Sequence, residues 1–425
     1  MKVSVVSKEL IIPSSATPSD LKTYRLSYID QQLPPYYIPL ILYYTYDESS
    51  TITQTKMTIK LKAALSETLT HFYPLAGRLV KNQNTVDCTD QGVWFSVARV
   101  ESSLLDIIKC PMIEELNQLV LVGMGSSHVE EQLAVQVNLF DCGGVAIGVC
   151  VSHRIADACS FSSFVSHWFA TAKGETPSIG PVLNSAALFP PMESHEYSRN
   201  PKDPTARAPL QNLVTKRFEF SSLAINRLKS QVVKDSSTVM NVNPTRVEVV
   251  TALIWKCGTE ALGDCKRSVA FHAVNFRRKM EPSLEDHQFG NLFQMASAVT
   301  NDKTADIAGL MAELRASFGK IDSEYLKSLT GENGVEIAKA NFKQIGKFMI
   351  QEGVGVFRFS SWSRFAVNEG DFGWGKPVWI SSAAFNDENC VILMDSRFDD
   401  GIEAWVVMDE EHMKKFESIY GLYHK

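Results

Sequence analysis

The chain has little of what marks several large protein classes. It carries no excess of positive charge: 42 Lys and Arg against 48 Asp and Glu give a net charge of -6. Neither a nucleic-acid backbone nor an anionic membrane surface is therefore an expected partner. Long hydrophobic runs are missing too. The longest, Tyr36 to Tyr44 and Leu139 to Val151, fall well short of the roughly 20 residues that span a bilayer. The opening stretch, Met1 to Glu9, meets charge too early for a signal peptide, and Tyr423-His424-Lys425 is neither a retention nor a peroxisomal address. A cytoplasmic protein is expected. None of the eight cysteines forms a C-x-x-C pair, which argues against structural zinc. They are expected as reduced thiols, most of them packed in the core.

What is present is an ordinary globular composition, 45% hydrophobic and 21% charged over 425 residues. That length exceeds one core and suggests two domains of about 200 residues. Leu61, Leu65, Leu69 and Phe72 fall at helical spacing, and Pro74 with Gly77 ends that helix. Two β-rich pieces flank a turn at Asp90-Gln91-Gly92. The runs Leu133–Leu139 and Val145–Val151 read as a hairpin turning at Gly143-Gly144, followed by a helix from Ala158 to Lys173 behind the N-cap candidate Asp157. Seven prolines between 176 and 209 mark a linker whose polar middle, His195 to Lys202, should be exposed. Beyond it, strand signals at Lys216–Phe220, Val269–Phe276, Val356–Ser361, Val378–Phe385, Cys390–Asp395 and Glu403–Val407 mix with helices at Ser222–Val233, Thr245–Cys257, Ile307–Leu314 and Ala338–Gln351. The expected division is a domain over 1–180, a crossover linker over 181–210 and a domain over 211–425.

Four stretches are candidates for chemistry. His153-Arg154-Ile155-Ala156-Asp157 sets a histidine at the mouth of a probable buried strand, where an imidazole can act as general base near neutral pH. Read from spacing alone, a satisfied structural histidine is the better account. Asp157 could orient His153, as a triad carboxylate does, but a structural role is favoured, capping the helix or pairing with an arginine. Asp371-Phe372-Gly373-Trp374-Gly375 permits close backbone approach, but it is not a dinucleotide fingerprint and reads as a tight aromatic loop. Asn275-Phe276-Arg277-Arg278-Lys279 is either a phosphate contact or a solvated turn. A cysteine nucleophile at Cys142, Cys150 or Cys159 is a lesser alternative, because buried cysteines are usually inert.

Taken together, the His153–Asp157 and Asp371–Gly375 motifs, in this order, resemble the BAHD acyl-CoA-dependent acyltransferases of plants. Thr70–Arg78 and Asn275-Phe276-Arg277 are similar to that family as well. Lys8-Glu9-Leu10-Ile11, Val86-Asp87-Cys88 and Asp141-Cys142-Gly143-Gly144 resemble its vinorine synthase-like branch of alkaloid and terpenoid acetyltransferases. The resemblance implies a chloramphenicol acetyltransferase-like α/β fold: two similar domains, each a mixed sheet flanked by helices, with a channel between them. It implies acetyl transfer from acetyl-CoA to a hydroxyl of a plant specialised metabolite, with His153 as base, and no permanently bound cofactor or metal. By the same resemblance Asp157 pairs with Arg277, and Asp371, Gly373, Trp374 and Gly375 support the architecture.

Asn275 and Trp374 are candidates for the oxyanion donor, and Arg278 and Lys279 for contacts to the CoA phosphates. Tyr36, Tyr37, Ile38, Phe357, Phe359 and Trp362 either line an apolar acceptor pocket or sit in ordinary core strands. A monomer is expected. A larger acyl-CoA, an amine acceptor, or a catalytically silent binding protein on the same scaffold are the alternatives.

Overall fold

The computed structural model describes residues 1–34, 36–46, 52–80, 84–121, 130–177, 179–192, 212–235, 243–302, 304–385 and 387–423. The expected exposed stretch at 195–202, and most of the linker, lie outside the described residues. The chain divides into two compact units. The first holds Met1–Asn200, Glu285–Leu292 and Phe365–Ala384; the second holds Pro201–Leu284, Phe293–Arg364 and Phe385–Lys425. The two units do not follow the sequence-based division at 181–210: the boundary falls after Asn200, and two segments from the second half of the chain belong to the first unit.

Along the chain the strands are β1 (Lys2–Ile11), β2 (Thr23–Arg25), β3 (Tyr37–Tyr44), β4 (Arg78–Val80), β5 (Thr85–Asp87), β6 (Val93–Glu101), β7 (Leu133–Phe140), β8 (Val145–Ser152), β9 (Leu213–Phe220), β10 (Arg267–Asn275), β11 (Phe293–Thr300), β12 (Val354–Ser361), β13 (Trp379–Ser381), β14 (Cys390–Asp395) and β15 (Ile402–Asp409). Among the described residues, the first unit carries a six-stranded sheet in the order β1-β6-β7-β8-β3-β13 and a small sheet β2-β5-β4. The second unit carries a six-stranded sheet in the order β11-β10-β12-β14-β15-β9. Both large sheets are mixed: β6 and β7 run parallel in one, and β12 runs parallel to β10 and β14 in the other.

The segment that delivers His153 forms for local reasons. β7 and β8 are almost wholly buried, which is why they read as near-continuous apolar runs rather than as alternation. Their turn needs Gly143, whose φ is +86° and whose missing Cβ would lie 2.7 Å from the Tyr46 ring. The helix Ala158–Lys173 starts where Asp157 accepts the Ser160 amide and stops at Gly174, in the left-handed region at φ +79°. It packs on the helix Gln54–His71, with the Trp168 indole donating to the Leu61 carbonyl at 3.1 Å.

Several elements escaped the sequence reading, among them β1, β11 and the helix Glu410–Tyr423. β1 is exposed along most of its length and is kinked by a bulge between Val5 and Ser7. It lies at the edge of its sheet, where charge and bulges replace the apolar signature of an inner strand. The two β-rich pieces around Asp90 do not pair with each other: β5 joins the small sheet and β6 the large one.

In the second unit the helix Arg246–Leu262 is buried almost end to end. It opens on a capping box between Thr245 and Glu248. Phe357 and Phe359 pack in the same apolar cluster as that helix. Among the described residues, no helix is long and apolar enough to cross a membrane.

Candidate active site

His153 is the first residue beyond β8. Its backbone is still zipped to the sheet, the amide donating to the Tyr36 carbonyl at 2.8 Å. The Tyr36 ring stands edge-on to the imidazole at 5.4 Å between centroids. Arg154 turns the other way and donates to the Gln31 and Leu33 carbonyls, both at 2.8 Å. His153 Nδ1 lies 3.1 Å from Asn291 Oδ1. The Asn291 amide nitrogen donates to Asp30 Oδ1 at 2.8 Å and to the His153 carbonyl at 2.9 Å. Burial holds the imidazole pKa below the ordinary 6.5, against smaller opposing effects of its own carbonyl, of Asp157 and of the Asn291 contact. The neutral base therefore persists into mildly acidic solution.

Asp157 accepts two backbone amides. One of its oxygens accepts the Ser160 amide at 2.8 Å, and the other accepts the Leu292 amide at 2.9 Å. Ser160 Oγ accepts from the Gly290 amide at 3.0 Å and donates to its carbonyl at 2.8 Å. Together they clamp the 290–292 segment beside the helix start, and that segment presents Asn291 to His153. Neither Asn291 nor Asp30 stood out in the sequence. Asn291 has no local signature. Asp30 was legible only as one half of a capping box, Ser27 with Asp30 at the start of the helix Tyr28–Gln32.

The Asp371–Gly375 loop lies in the first unit. A single oxygen of Asp371 accepts the amides of Gly373, Trp374 and Gly375 at 2.7, 3.0 and 2.8 Å. Phe372 is fully buried against Trp168 and Phe169. Trp374 stacks on Phe372, meets the Tyr44 ring at 6.0 Å and lies under the Lys60 ammonium at 5.8 Å. Tyr44 ends β3, whereas Tyr37 begins it beside Ser152. Seven strand steps of about 3.3 Å, roughly 23 Å, thus separate the two ends. Trp374 and His153 sit at opposite ends of the β3–β8 pair, so Trp374 is removed as an oxyanion donor. The same geometry removes Cys142, which sits in the β7–β8 turn and takes the Leu104 amide on its sulfur. Cys159 donates to the Asp286 carbonyl instead.

Of the acceptor-pocket candidates, Tyr37 and Ile38 are buried in β3, the Tyr37 hydroxyl donating to the Glu131 carbonyl at 2.6 Å. Phe357, Phe359 and Trp362 are buried in the second unit. For Phe357 and Phe359 the core reading holds, since one strand signature serves pocket and core alike. Asn275 is exposed, and its Oδ1 accepts from the Arg277 backbone and guanidinium at 3.1 and 3.2 Å. Arg277 itself is fully buried. Arg278 is exposed, and the Lys279 ammonium caps a helix end, donating to the Phe318 and Ile321 carbonyls at 3.2 and 3.0 Å. Among the described residues, no group of three His, Cys, Asp or Glu side chains is placed to hold a metal ion.

The Transferase family model matches residues 1–421. Stemmadenine O-acetyltransferase of Catharanthus roseus is 40% identical over 428 residues, 98% of this chain and 96% of that protein. Limonoid 7-O-acetyltransferase of Citrus sinensis is 34% identical over 452 residues, again 98% and 96%. Vinorine synthase of Rauvolfia serpentina is 37% identical over 424 residues, 96% and 94%. A crystal structure of vinorine synthase superposes with a TM-score of 0.85 at 34% identity, over 97% of this chain and 96% of that one. The two-sheet α/β fold is shared.

Proposed function

The chain belongs to the Transferase family, the BAHD acyl-CoA-dependent acyltransferases of plants, and from that premise we propose acetyl transfer from acetyl-CoA to a hydroxyl of a terpenoid or alkaloid, with His153 as general base. The names of the relatives support the acceptor class: they are O-acetyltransferases of stemmadenine and of limonoids. The observation that carries the mechanism is the contact of His153 Nδ1 with Asn291, which turns the opposite ring nitrogen to the task of base.

The acceptor hydroxyl gives its proton to Nε2 as its oxygen attacks the thioester carbon. The tetrahedral oxyanion collapses, the C–S bond breaks, and the CoA thiolate leaves and takes the proton from the imidazolium. A thiol pKa of about 8.5 makes that departure easy without a separate acid. One histidine then suffices, and no acyl-enzyme forms. Asn275 stays a proposed oxyanion donor and Arg278 a proposed contact for the CoA phosphates.

The test incubates native protein and His153→Ala with acetyl-CoA and a panel of alcohols, following thiol release and acetylated product by mass spectrometry. A loss of about 10²–10⁴-fold in the variant is expected. Equal release by both would sink the base assignment, and transfer only to amines or only from longer acyl-CoAs would replace the substrate assignment. All eight cysteines carry thiols, which supports placement in the reducing cytosol. We also propose a monomer; light scattering should return the mass of one 47.3 kDa chain.

A further inference from the structure

A two-residue chain ending in a buried carboxylate meets the base at Nδ1. We infer that Asp30, acting through Asn291, is a positioning residue for acyl transfer: it holds His153 as the Nδ1–H tautomer and stabilises the imidazolium formed when Nε2 takes the acceptor proton. This rests on the reading of His153 as base.

The amide orientation of Asn291 is forced. Its nitrogen faces two acceptors, Asp30 Oδ1 at 2.8 Å and the His153 carbonyl at 2.9 Å. A flipped amide would set an oxygen against both. The amide oxygen therefore faces His153 Nδ1, and that nitrogen must carry the hydrogen. Nε2 is left with the lone pair.

Asp30 in turn locks Asn291 twice, since the Asn291 backbone amide also donates to Oδ1, at 2.9 Å. Its other oxygen accepts the Ser27 amide at 2.9 Å and the Ser27 hydroxyl at 2.7 Å. Four donors converge on a side chain with no solvent exposure, an environment built for a carboxylate. When Nε2 is protonated, positive charge spreads to Nδ1–H, and the amide dipole of Asn291 points that charge toward Asp30. An amide cannot relay the proton, so Asp30 acts by field and orientation alone. Other charged or titratable groups around the chain include Arg154 and Tyr24 near Asp30, and Asp157 and Tyr36 near His153. Burial pushes the Asp30 pKa up to about 6, so it is ionised at neutral pH.

The experiment uses the full-length protein labelled with ¹⁵N in histidine, together with Asn291→Ala and Asp30→Asn. Native His153 should show the Nδ1–H tautomer at neutral pH; an Nε2–H signal there overturns the inference without any variant. Asn291→Ala should mix the tautomers and lower kcat about tenfold with little change in KM for acetyl-CoA. Asp30→Asn should lower kcat by a similar factor and move the acid limb of kcat/KM to lower pH, because the imidazolium loses its nearby carboxylate. Native tautomer, kcat and acid limb in both variants would refute it. Full activity in His153→Ala would instead remove the base reading beneath it. The nitrogen shifts need no turnover and tell the two failures apart.

Discussion

Truncating Phe372 to alanine tests whether the Asp371–Gly375 loop serves structure or chemistry. The ring is fully buried. Its centroid lies 4.5 Å from Phe169, 4.9 Å from Trp168, 5.4 Å from Trp374 and 6.1 Å from Tyr44. Removing a buried phenylalanine costs about 3–5 kcal/mol, from lost burial and from the cavity left behind. The rigid helix Ala158–Lys173 forms one wall and cannot collapse far, which favours the upper half of that range. At about 2–4 °C per kcal/mol for a unit of this size, the melting temperature should fall by roughly 6–20 °C. Thermal melts followed by circular dichroism give the shift, and acetyl transfer is then measured well below the transition. Because the loop lies a strand length from His153, kcat there should stay within about twofold of native. An unchanged melting temperature, or a folded variant with collapsed kcat, would refute the reasoning and return the loop to the chemistry.

Asp371→Ala withdraws the acceptor of three amides. The amides outweigh burial and hold that carboxyl below its usual range, so a loss of about 1–3 kcal/mol with native kcat is expected from parallel melts and turnover assays. The kcat/KM profile should stay level from neutrality down past pH 6.5 before falling, since burial lowers the His153 pKa; a midpoint above 6.5 contradicts this. Stability should decline from pH 6.5 towards 4, because burial holds His167 and His272 at about 4. The unfolded chain then binds more protons than the native one. Asp30, raised to about 6, works in the opposite sense over the same range. His272→Phe keeps a ring between Phe318 and Phe359 and should lessen the acid loss in pH-dependent melts; a steeper loss would count against the assignment.

Local periodicity made the delivery of His153 legible. The hairpin β7–β8 and the helix Ala158–Lys173 follow from apolar runs, a glycine turn and an N-cap aspartate. What aims the ring did not show, because it comes from far along the chain: Asn291 is 138 residues from His153, and Asp30 is 261 from Asn291. No spacing rule spans such distances. The loop Asp371–Gly375 was recognisable as a motif, yet its membership of the first unit depends on the three-residue strand β13, which adds to the edge of a sheet built from the other end of the chain. Phe357 and Phe359 illustrate the converse limit. Alternating aromatics reveal a strand but not whether its apolar face meets a ligand or the Arg246–Leu262 helix.

The clamp of Asp157 and Ser160 on residues 290–292 ties catalytic competence to completion of the chain. Asp157 finds the Leu292 amide 135 residues downstream, and closing so long a loop is entropically late work. A nascent protein still short of Asn291 already carries the whole histidine motif, strand and helix included, but lacks the amide that faces Nδ1. The aim of the imidazole is thus completed only once the late segment has been made and has come home.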